Sequence, residues 1–130
     1  MPTKKAILKT IDQLYKARVK GDISAVENLL APRAKYRLIG GDNAVPELAS
    51  GAAKKSIDGL IDLFKFHSVK RLSAIVEGNS AAIHSRVKLS TKNGGTATTE
   101  LFDLWEFGKD GKATSLTQFC DTALLERMVS

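Results

Sequence analysis

His84 and Asp103 are the residues of this chain best suited to moving a proton. An imidazole titrates near neutrality, and a carboxylate beside it fixes its tautomer and orientation. Both sit in segments of alternating polar and apolar residues, 80–91 and 96–107, with Asn93-Gly94 between them. Asn-Gly between two such runs is a strong hairpin signal. A two-residue turn there sets Lys92 against Gly95 and brings His84 opposite Asp103, Arg86 opposite Leu101 and Ala82 opposite Trp105. Facing Cβ atoms lie about 4.5–5.5 Å apart, so imidazole and carboxyl would meet. The same register predicts one hairpin face with Ala82, His84, Arg86, Lys88, Leu101, Asp103 and Trp105, and another with Ile83, Val87, Leu89, Phe102 and Leu104. A slip of one residue exchanges every partner.

Two readings of the pair stand side by side. In one, His84 gives or takes a proton in a pocket and Asp103 orients it; in the other, the two form an ion pair, with Arg86, that satisfies a polar cavity. Neither side chain belongs in mid-sheet without a partner or ligand. Arg86 suits a bidentate clamp on a substrate carboxylate, or else its stem covers apolar surface. Tyr15, Tyr36 and Trp105 each join an apolar body to a polar handle, as pocket wall or as core. Gln118 and Cys120 follow Leu116 along one strand face and reach the same cavity, Cys120 as a small buried hydrophobe with no activating neighbour in sequence. His67 and His84 are the two histidines, with no cysteine cluster, so no metal is expected. Gly40-Gly41 and Gly94-Gly95 precede no helix as a phosphate loop does, and no cofactor is expected.

The elements that must hold these groups follow from periodicity. Ile7, Leu8, Ile11, Leu14, Tyr15 and Val19 make a helical stripe over Thr3–Lys20, which Gly21 stops. Asp22 or Ser24 caps a second helix with Val26, Leu29 and Leu30, and Pro32 breaks it. Lys35–Gly40 is predicted as a short strand, residues 41–51 as a loop and Gly51–Lys65 as a third amphipathic helix. From His67 the period becomes two, predicting strands at 68–77, 80–91, 96–107 and 112–120, then a short helix capped by Asp121. Helices followed by an antiparallel meander make an α+β layered domain over residues 1–130. Both faces of the central hairpin carry large apolar groups. Helices cover one, and a homodimer through Ile83, Val87, Phe102, Leu104 and Phe119 would cover the other.

Composition narrows the function classes. With 43% hydrophobic and 26% charged residues the chain can build a core, and it has no run long enough to cross a membrane as a helix. Met1–Lys20 lacks the apolar run of a secretory leader, so a cytoplasmic protein is expected. One cysteine rules out an internal disulfide. The net charge of +6 raises the question of nucleic acid, but the basic residues are dispersed and no aromatics alternate with them, which argues against that partner.

Three stretches carry a likeness to a known family: Lys20-Gly21-Asp22-Ile23-Ser24-Ala25-Val26 with Leu29-Leu30-Ala31, then Leu101-Phe102-Asp103-Leu104-Trp105-Glu106-Phe107 with Asp110-Gly111-Lys112, and last Gln118-Phe119-Cys120-Asp121-Thr122-Ala123-Leu124-Leu125. Over nearly its whole length the chain resembles the nuclear-transport-factor-2-like superfamily, and within it the ketosteroid-isomerase-related, SnoaL-like proteins. The resemblance implies a cone of three N-terminal helices on a curved, mainly antiparallel sheet, with a small-molecule pocket. It also implies that Asp103 holds the place of the aspartic acid that helps bind the oxyanion in steroid isomerases, an acid kept neutral by its apolar site. The place of their base falls on Leu38 and that of their tyrosine on Leu14; Tyr15 is next in line, about 100° further round the helix. A fold shared by so many chemistries does not name the reaction. The expectation is a cofactor-independent isomerase, dehydratase or cyclase acting on a small apolar substrate. His84 and Asp103 would be its catalytic groups, and Tyr15, Tyr36, Leu38, Arg86, Leu101, Trp105, Gln118 and Cys120 would line its substrate site. The alternative is a binder or accessory subunit that keeps the cone without turnover.

Overall fold

Thr3 and Gly21 bracket the first helix. In the computed structural model, which describes residues 2–93 and 95–130, α1 spans Lys4–Lys20. The Thr3 hydroxyl accepts the Ala6 amide at 3.1 Å, and Gly21 closes the far end at φ 68°, a conformation that favours glycine. Ile7, Ile11, Leu14 and Ala17 form its buried stripe. Asp22 then caps α2 (Ile23–Leu29) by accepting the Ala25 amide at 3.1 Å.

The first strand, β1, runs Leu30–Ile39, longer than the Lys35–Gly40 expected from sequence. Pro32 lies in it without a strand partner opposite, because the parallel ladder to β6 (Ala113–Phe119) shifts between Leu30 and Lys35. A proline fits where no ladder hydrogen bond is asked of it. The expected loop at 41–51 holds a 3₁₀ turn, Gly41–Asn43, and a short strand β2, Ser50–Ala52, paired antiparallel to β1. Next come α3 (Ala53–Leu63) and the meander of β3 (Lys65–Glu77), β4 (Ser80–Ser90) and β5 (Thr96–Phe107), before β6. The six strands lie in the order β2-β1-β6-β5-β4-β3, antiparallel except for β1 and β6. Breaks in register at Phe66/Ser68, Arg71/Ser73 and Glu106/Phe107 are the kind of irregularity that bends a sheet. The fold is the expected α+β cone, its inner face covered by α1 packed on β3 and α3 packed on β1. Asp121 accepts the Leu124 amide at 3.0 Å to start α4 (Thr122–Val129).

The β4–β5 register departs from expectation by one residue. The Thr91 amide donates to the Gly95 carbonyl at 3.0 Å, and the ladder continues as Ser90 opposite Thr96. Residues 92–94 therefore connect the strands, an odd-length loop in place of the expected Asn93-Gly94 turn; Gly94 itself lies outside the described residues. His84 stands opposite Phe102, and Asp103 opposite Ile83. Because side chains alternate, the slip separates His84 from Asp103 by the thickness of the sheet. Ile83, Val87 and Leu89 point inward with Leu101, Asp103, Trp105 and Phe107, all buried. Ile83 and Val87 thus belong to the core and drop out of the expected dimer face, while Phe102, Leu104 and Phe119 stay exposed and Ile75 joins them. No helix among the described residues is long and apolar enough to cross a membrane.

Candidate functional site

Under the helices, the inner sheet face encloses a cavity of about 70 Å³. Its wall is mostly Leu, Ile, Val and Phe, supplied by all four helices and by every strand except β2. Polar groups reach it at few points, the pattern of a small-molecule site. The deepest is Asp103 on β5, which is 0% exposed.

Tyr15 of α1 donates its hydroxyl to Asp103 Oδ2. The Trp105 indole N–H donates in turn to the Tyr15 oxygen at 3.2 Å, and the two rings meet edge to face at 6.2 Å. This relay from Trp105 through Tyr15 to Asp103 leaves Asp103 Oδ1 buried with no hydrogen-bond partner among the described residues. A buried oxygen without a donor is costly and rare, so it asks for a ligand or a proton. Gln118 on β6 stands directly opposite Asp103, and its Oε1 accepts the Tyr36 hydroxyl at 2.6 Å.

Burial pushes the Asp103 carboxyl up to about 6, against the pull of the Tyr15 hydroxyl and the facing Gln118 amide. Tyr15 and Tyr36 are held well above their usual range, first by burial and then by the Asp103 charge, so both remain donors at neutral pH. Burial, with the nearby Asp103 and Asp121, pushes the Cys120 thiol up to about 12, which makes it an inert part of the wall. Around neutrality the cavity thus holds one titrating group, Asp103, and two fixed hydroxyl donors.

Eight of the residues expected from sequence share this cavity: Tyr15, Tyr36, Leu38, Leu101, Asp103, Trp105, Gln118 and Cys120. His84 and Arg86 do not. Both sit on the outer face of the sheet, where His84 Nε2 lies 2.6 Å from Glu100 Oε1 and Arg86 donates to Glu100 Oε2 at 3.2 Å. The register slip is the cause, and it leaves His84 unable to reach a molecule held with Asp103. Tyr15 takes the place beside the carboxyl that His84 was expected to fill. Arg18, which is not among the residues expected from sequence, also lines the cavity. A signal was present, since Arg18 lies one turn beyond Leu14 on the stripe of Ile7 and Ile11, where a charge is out of place. Among the described residues no three His, Cys, Asp or Glu side chains group as a metal site would require.

Comparison with known proteins places this geometry among relatives. The family profile described as "SnoaL-like domain" matches residues 11–116. An NTF2-like protein of unknown function from Burkholderia pseudomallei superposes with a TM-score of 0.77 at 19% identity, covering 96% of this chain and 98% of that one. An LEH-like epoxide hydrolase of M. tuberculosis gives 0.75 at 14% identity, covering 98% and 92%. AusH from Aspergillus nidulans gives 0.72 at 20% identity, covering 94% and 88%. At these identities the likeness is one of fold. No curated protein sequence matches the chain.

Proposed function

We propose, because this chain belongs to the SnoaL-like domain family, that its cavity takes a small, mostly apolar molecule and that Asp103 exchanges one proton with an oxygen-bearing centre of it. The reaction class is a cofactor-independent isomerisation, dehydration or cyclisation. One observation carries the reading: a fully buried carboxyl lines an apolar cavity with one oxygen tied to Tyr15 and the other free. With its carboxyl near 6, Asp103 is available in both protonation states close to neutrality. When protonated it can donate to a carbonyl, hydroxyl or epoxide oxygen, and when ionised it can take a proton back. Tyr15, fixed by Trp105, stabilises the ionised form and holds the carboxyl in place. Acid-assisted opening of an epoxide, the substrate class named for the M. tuberculosis neighbour, asks for the same proton donor.

Cyclohexanone tests this directly, with Trp105, the one tryptophan of the chain, as the fluorescent reporter. Protonated Asp103 donates to the ketone and ionised Asp103 does not. Binding should therefore be several-fold tighter at pH 5 than at pH 8, with a midpoint near 6. Asp103→Asn should abolish that dependence. Binding that ignores pH, or a pH dependence that survives in the asparagine variant, would sink the role of Asp103.

The buried, apolar Leu38 and Leu14 favour a second reading, a binder without turnover, because they leave Asp103 without a second proton acceptor in the wall. Proton NMR in D₂O separates the two. Exchange at the carbon beside the cyclohexanone carbonyl, faster than in buffer and lost in Asp103→Asn, supports catalysis; saturable binding without it supports the binder.

The outer sheet face supports a second proposal, pairing with another copy of the chain. Phe102 stands opposite Phe119, and Ala82 bridges Ile75 to Leu104, so four exposed apolar side chains form two adjacent rows. Contiguous exposed apolar side chains of this kind mark interaction sites. The His84–Glu100–Arg86 cluster beside it carries both signs of charge, as a self-complementary twofold contact needs. By light scattering the protein should be dimeric at micromolar concentration and Phe102→Glu monomeric. A monomeric parent protein would remove the proposal.

A further inference from the structure

Arg18 lines the inner cavity and also a surface groove formed with Lys20, Lys65 and Lys92, so it stands in the wall between the two. Its Nη2 donates to the carbonyls of Leu60 at 3.0 Å and Phe64 at 2.8 Å, closing the end of α3. The guanidinium carbon lies 3.8 Å over the Phe66 ring. A guanidinium has five N–H donors in a planar fork, and Nε and Nη1 are not used by these two bonds. The ion pairs among the described residues are Arg71–Asp12, His84–Glu100 and Arg86–Glu100, and none includes Arg18.

A largely buried cation facing two carbonyls, an aromatic ring and no carboxylate is an unusual arrangement, because burying an unpaired charge is costly. Closing a helix end explains one nitrogen of the fork. The rest of the fork borders the groove, which sets three lysines against the single carboxylate of Asp62, and the net charge of +6 draws anions toward it.

We propose that Arg18 receives the carboxylate of a small organic acid whose hydrocarbon part fills the cavity and whose far end presents its reacting oxygen to Asp103. This names the substrate class for the reaction proposed above and rests on that reading. The acid enters with its charge toward the basic groove. The guanidinium fork matches a carboxylate in shape as well as charge, and the leucine and phenylalanine walls accept the ring or chain.

Benzoate and benzamide share a shape and differ in charge, so they are the probes, titrated at pH 7.5 with Trp105 fluorescence as the readout. The parent protein should bind benzoate at least tenfold more tightly than benzamide. In Arg18→Gln the two should fall within about twofold of each other, while Arg18→Lys, which keeps the charge and loses the fork, should retain part of the preference. Benzoate should also shift the Arg18 Nε–H resonance of the parent protein, and benzamide should not. That measurement decides the question even if the glutamine variant fails to fold. Equal affinity for the two probes, a preference that survives Arg18→Gln, or a silent Arg18 resonance overturns the proposal. Benzamide and cyclohexanone carry no charge for Arg18, so failure of both to bind counts against the cavity reading itself. Loss of the charge preference alone counts only against Arg18.

Discussion

Asp103→Asn should stabilise the protein at pH 8, relative to its effect at pH 4, by about 2–3 kcal/mol, or roughly 10 °C in Tm. Burial raises the folded-state carboxyl from its usual 3.8 to about 6, and every tenfold gain in proton affinity corresponds to about 1.36 kcal/mol. The folded chain therefore binds the Asp103 proton more tightly than the unfolded chain does. The stability associated with the protonated form is fully present below the unfolded value and is lost as pH rises through about 6. Asparagine has the same shape, no charge and an oxygen for the Tyr15 hydroxyl, so it escapes that loss. Every other titrating group is common to both proteins and cancels in the difference. Paired urea denaturation of the two proteins at pH 4 and pH 8 measures the effect, and an equal difference at the two pH values would show that the carboxyl is not desolvated. A group that lowers stability where the protein must work is the kind retained for activity. The same substitution should therefore gain stability and lose pH-dependent ketone binding.

Local chemistry made the elements legible in the sequence. Thr3, Asp22 and Asp121 carry side chains that cap helices, Gly21 can adopt the left-handed turn, and strict alternation marks β4 and β5. Asp103 stood out for a similar reason, a carboxyl in a run that otherwise alternates apolar side chains inward. The partner of Asp103 was not legible. Whether the β4–β5 connection has two residues or three depends on backbone geometry in a segment of Lys, Asn and Gly, where either is sterically open. That one residue carried His84 and Arg86 to the outer face. The contact of Tyr15 with Asp103, and Arg18 altogether, were obscured differently. A helical wheel places Leu14 at the centre of the buried face, but the longer side chains beside and below it reach the cavity from the flank. Charge on a helix is usually solvated, and what reverses that here, the end of α3 and the Phe66 ring against Arg18, comes from residues distant in sequence.

Tyr15→Phe should be the most damaging conservative change in the cavity, and its cost should depend on pH. The hydroxyl is shared: it donates to Asp103 Oδ2 and accepts from Trp105 Nε1. At pH 8 its removal takes a donor from a buried carboxylate, about 1.5–3 kcal/mol, and leaves a buried indole N–H without an acceptor, about 1–3 kcal/mol. Non-additivity within one network holds the expected total to about 3–5 kcal/mol. At pH 4 the carboxyl is protonated, the first loss shrinks to that of a neutral hydrogen bond, and about 2–3 kcal/mol remains. The ring and its edge-to-face contact with Trp105 survive, so lost packing cannot account for a pH-dependent difference. The Tyr15 hydrogen bond also pulls the Asp103 carboxyl downward, so without it the midpoint of cyclohexanone binding should move above 6. A tyrosine that only filled space would leave that midpoint unchanged. In the Tyr15→Phe/Asp103→Asn double variant the two effects should fail to add at pH 8 and come close to adding at pH 4. The pH dependence of the coupling would tie the relay to the charge on Asp103, which is the state in which it can take back a proton.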